Sequence, residues 1–140
     1  MRPTTIVAWV GLGLLAAGCV PKPKQDYTLE QIPQIPTLKE LMHFQAHTVD
    51  PWFGKRKQKS FSAEEHEALV GVGQKLVATA ALLRDKFAQQ KAPSFATYAG
   101  QMHGESGKLV TAAQAKNASG VSDALEGVRK ACAACHTEYK

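Results

Sequence analysis

Two cysteines three residues apart, followed at once by a histidine, stand near the end of this sequence as Cys132-Ala133-Ala134-Cys135-His136. Residues three apart on a helix share a face, so both thiols would project to one side of a final helix, with the imidazole next to them. The C-x-x-C-H spacing is the attachment signature of c-type haem: two thioethers to one macrocycle, and an axial nitrogen for its iron. One covalent haem c is therefore expected, on Cys132 and Cys135, with His136 as proximal ligand. A zinc half-site would need two more ligands, and no second cysteine pair exists. A thioredoxin-like redox pair would open a helix after a strand, and no such pattern precedes this one.

The other end of the chain has a different texture. Arg2 followed by the apolar run Ile6 to Ala17 reads as an export signal, too short to span a bilayer comfortably. Leu15-Ala16-Ala17-Gly18-Cys19 resembles a bacterial lipobox, with the leucine one position further from the cysteine than the pattern has it. Residues 1–18 are expected to be removed and Cys19 to carry lipid. The three cysteines are then used without remainder, and no disulfide is left to draw. Val20 is not the aspartate that retains enteric lipoproteins at the inner membrane, so the expected location is the periplasm-facing side of the bacterial envelope, on the outer membrane.

Residues 19–36, rich in proline and polar side chains, read as an extended tether, and 37–140 as one domain without internal repeats. Four helical patterns divide that domain. The first spans about Thr37 to His47, with Leu38, Leu41, Met42 and Gln45 on one face and Pro51 helping to end it. The second opens with the capping box Ser62-Ala63-Glu64-Glu65 and runs Leu69, Val72, Leu76, Ala80, Leu83 and Phe87. The third begins at Pro93 and carries Phe95, Tyr98, Met102, Ser106, Leu109 and Ala113. The fourth follows Asn117 with Val121, Leu125, Val128, Cys132, Cys135 and Tyr139. No strand pattern appears. The fold class is all-α, an antiparallel up-down four-helix bundle with its haem against the interior. Gly71, Gly73, Gly100, Gly104 and Gly107 sit inside helices, where they cost stability and serve close packing, space beside the haem, or local flexibility without a role.

With the motif at the extreme C-terminus of a bundle, preceded by Val128-Arg129-Lys130-Ala131 and followed by Lys140, the chain resembles the class II c-type cytochromes, the cytochrome c′ group and its low-spin relatives. Leu41-Met42-His43 with Val49-Asp50-Pro51 and Trp52 resembles one bacterial subgroup. The resemblance implies that the first helix supplies the residue on the far side of the iron. Met42 is the expected distal ligand, with His43 and His47 as alternatives. A methionine there implies a mono-haem electron carrier. An apolar residue implies an open iron that binds nitric oxide or carbon monoxide. Haem peroxidase-like chemistry, the third reading, would need His43 or His47 beside an open iron. His66 is expected at the surface and Met102 in the core. The family also allows a homodimer through the first two helices.

The formal charge is +5, and losing Arg2 with the signal lowers it to +4. Lys55-Arg56-Lys57 with Lys59 is either a solvated loop or a docking patch for an acidic redox partner. Nothing interleaves aromatic and basic residues as a nucleic-acid surface would.

Overall fold

The computed structural model describes residues 26–139. Four helices account for most of them: α1 (Leu38–Phe53), α2 (Ala63–Leu82), α3 (Pro93–Gln114) and α4 (Ala118–Glu138), with no strand among the described residues. Each start has a local cause. The Thr37 hydroxyl accepts from the Glu40 N–H at 3.2 Å. Ser62 and Glu65 form the reciprocal capping box, at 3.1 and 2.9 Å. Pro93 occupies the first turn of α3, where its missing donor costs nothing. The Asn117 side chain accepts from the Gly120 N–H at 3.0 Å.

α3 and α4 run antiparallel. Ser94 at the start of α3 meets Glu138 at the end of α4 (2.7 Å), and Ala112 near the end of α3 faces Gly120 in the first turn of α4. α2 lies along α3 just as closely, whereas α1 makes sparser contact with α2 and α4. The core is assembled from the expected stripes: Leu69, Leu76 and Ala80 of α2, Leu109 and Ala113 of α3, Val121, Leu125 and Val128 of α4. The four-helix bundle is thus the fold.

Three expectations are corrected. Pro51 does not end α1, which continues through Phe53; the ring removes one hydrogen bond in the last turn, while Trp52 and Phe53 pack on the core and hold that turn in place. Residues 26–36, expected as part of an extended tether, are packed on the bundle instead. Ile32 and Ile35 are fully buried and Tyr27 nearly so, stacked edge-on against Phe44 at 5.3 Å between centroids. Isoleucines inside a proline-rich segment can still bury, and here a 3₁₀ turn at Ile32–Gln34 turns both inward. The rest of the expected tether, the expected signal segment and Cys19 lie outside the described residues, as does Lys140. Finally, His66 is buried at 6 % exposure with no partner for its Nδ1, held beside Phe61; the helical angle that places Leu69 and Gly73 inward carries His66 with them.

The glycines divide. A Cβ at Gly71, Gly100, Gly104 or Gly107 would meet nothing within 4 Å, so these are not close-packing positions. Gly73 is one, and lets α2 approach the α3 backbone at Ser106 and Val110.

Candidate haem cleft

Because α1 stands off from α4, a cleft lies between α1, α3 and α4. α2 contributes nothing to its wall. The regular helix ends at Leu82 and widens into a π-turn over Leu83–Phe87, which places Leu83 at the cleft.

The wall is mostly apolar, with Leu38, Val49 and Phe53 from α1 and Phe95 and Ala99 from α3. Into this setting α4 brings Cys132, Cys135 and His136 together, and α1 brings Met42. The motif residues follow directly from the stripe: Val128 and Ala131 are buried one turn earlier, so the cysteines continue the inward face. Cys132 and Cys135 are half-buried and not joined in a disulfide. Burial pushes the Cys132 thiol up to about 11, with the Asp50 carboxylate adding to the effect. Burial also raises Cys135, with Glu138 contributing. His136 is exposed and forms part of the cleft mouth.

His43 and His47 are exposed on α1 and line no part of the cleft. Met102, read as core, is buried and also borders the cleft. Sequence reasoning missed the group that ties down the end of α4. The Glu138 carboxylate accepts from Ser94 Oγ (2.7 Å) and from the Tyr98 hydroxyl (3.0 Å), and Tyr139 bonds Ser94 and stacks edge-on against Phe95. These hydroxyls, Ser94 first, hold the Glu138 carboxyl below its usual range. No pattern within one helix signals pairs forty or more residues apart.

The donor chemistry fits a c-type haem. Two unpaired thiols lie on one face beside an imidazole, set against an apolar wall, with a thioether on a facing helix. Among the described residues no cluster of three or more histidine, cysteine or acidic side chains could hold a metal ion.

Of the basic cluster, Lys55 pairs with Glu65 and Arg56 with Glu126 (3.0 Å), which pins the α1–α2 loop to the bundle. Lys57 and Lys59 are exposed. No helix among the described residues is long and apolar enough to cross a membrane.

A family model described as Cytochrome C' matches residues 73–140, from the middle of α2 through α3 and α4. No curated protein and no solved structure matches the chain.

Proposed function

The chain belongs, through residues 73–140, to the cytochrome c′ family of class II c-type cytochromes, and from that premise we propose that it is a one-electron carrier with a methionine-ligated iron. The observation that carries this reading is the presence of Met42 on the same cleft as Cys132, Cys135 and His136. When bound, haem c supplies a one-electron iron couple. Cys132 and Cys135 would hold it covalently, His136 would ligate from the α4 side and Met42 from the α1 side. The apolar residues of α1 and α3 would pack against the haem, and the Ser94–Glu138–Tyr98 bonds hold the turn that carries His136. A ligand set that does not change between oxidation states suits electron transfer, because little has to rearrange.

On this reading the protein faces the periplasm, held to the envelope by lipid on Cys19, with a tether ending near residue 26. An acidic redox partner would meet Lys57 and Lys59 rather than the whole basic run, since Lys55 and Arg56 are engaged within the chain. The second reading, an open iron that binds nitric oxide or carbon monoxide, draws on the apolar wall contributed by Leu38, Val49 and Phe53. A peroxidase role has less support, because neither His43 nor His47 borders the cleft.

Optical spectra of the loaded protein, oxidised and reduced, with and without carbon monoxide, separate the two. Electron transfer predicts a low-spin spectrum with a weak far-red sulfur-to-iron band and indifference to the gas. Met42→Ala should abolish that band and open the reduced iron to carbon monoxide. A wild type that is already high-spin and shifts promptly with the gas would establish the second reading.

A further inference from the structure

Two thioethers border the cleft, Met42 on α1 and Met102 on α3, and they are not equivalent. The Met102 sulfur accepts a hydrogen bond from the Gln45 side-chain amide, Nε2 to Sδ at 3.6 Å. Both partners are buried, Gln45 at 6 % exposure and Met102 at 5 %. Met42 is only half-buried, and no hydrogen bond reaches its sulfur among the described residues. Gln45 follows Met42 by three positions, so α1 presents the free thioether and the amide on one face.

A glutamine in this position is poorly explained by stability. Burying an amide is costly unless it is well bonded, and a thioether is a weak acceptor. A leucine would fill similar volume without that cost. What the amide does accomplish is local. Methionine has three rotatable bonds and adapts readily to a neighbouring partner. The bond from Gln45 restrains that freedom in Met102 and occupies one of the sulfur lone pairs that would otherwise be offered to a metal.

We propose that Gln45 is a positioning residue that keeps Met102 out of competition for the iron, leaving Met42 as the methionine of the cleft that is free to ligate. The inference rests on the Met42 reading above.

The test uses the loaded, reduced protein carrying ¹³C-methyl methionine. A methionine methyl lying over the haem plane is shifted far upfield by the ring current, which reports the ligand's identity independently of any activity. The wild type should show one such methyl, absent from Met42→Leu. In Gln45→Leu a second shifted methyl should appear, with the ratio of Met42 to Met102 ligation falling about twofold or more, the loss of one hydrogen bond at the weak end of the usual range. The double variant Gln45→Leu/Met102→Leu should return to the single Met42 signal. If Gln45→Leu does not load haem, Gln45→Ala reads the same ratio. An unchanged, single Met42 signal in the Gln45 variant would overturn the proposal while leaving Met42 as ligand. A shifted methyl that survives Met42→Leu in the presence of Gln45, or a wild type with none, would overturn the Met42 reading and this inference with it.

Discussion

A Cβ added to Gly73 would stand 2.7 Å from Val110 Cγ2 and 3.2 Å from both the Ser106 carbonyl oxygen and the Val110 nitrogen. The valine methyl can rotate away, but the α3 backbone cannot. Gly73→Ala should therefore cost about 1–3 kcal/mol by forcing α2 and α3 apart, read as a lower urea midpoint of the loaded protein. Tyr27 makes a second prediction. Its hydroxyl donates to the Glu40 carboxylate, and that bond, helped by burial, pushes the phenol up to about 12. A folded pKa raised above the usual value near 10 means the contribution is complete below pH 10 and is lost as the pH climbs through 12. Tyr27→Phe should lack that part of the alkaline decline in urea midpoint. The glycine and the tyrosine were both visible in the sequence, but neither contact was, because each partner comes from another part of the chain.

At the scale of elements, the joint between α3 and α4 is closed by two backbone bonds: Lys116 N–H to the Ala113 carbonyl (3.1 Å) and Asn117 N–H to the Ala112 carbonyl (2.9 Å). This is the Schellman arrangement, and it requires a left-handed residue just past the helix. Lys116 fills that place at φ 51°, the single non-glycine residue with positive φ among those described. Lys116→Gly should raise stability by about 0.5–1 kcal/mol, the relief of left-handed strain less the added freedom of the unfolded chain. A higher urea midpoint with an unchanged slope would be the evidence. The starts of the helices were legible because Ser62, Glu65, Pro93 and Asn117 act within one turn of their own position. This ending was not, because lysine carries no signal for the left-handed region. The π-turn at Leu83–Phe87 was equally hidden: the apolar stripe continues through it, and the wider backbone hydrogen bonding that sets it apart from α-helix has no side-chain signal.

For the whole molecule, residues 26–37 before α1 form a strap across the bundle. Asp26 pairs with Lys75 of α2 (3.0 Å), Lys86 donates to the Ile35 carbonyl (2.8 Å), and Ile32 and Ile35 are sealed from solvent. Ile32→Ala should cost about 2–5 kcal/mol, as a core deletion does, whereas substitutions in a true tether would leave the denaturation curve unmoved. The sequence by itself determined the helical class, the four helices and the C-x-x-C-H face of the last one. Those properties are carried by periodicity and spacing within single segments, where neighbouring residues impose them. Tertiary structure alone decided that α1 stands off to leave a cleft, that Met42 shares it with Cys132, Cys135 and His136 while His43 and His47 do not, and that Gln45 engages Met102. Each of these depends on how separate helices are rotated and set against one another, and that arrangement is settled by the packing of all four together.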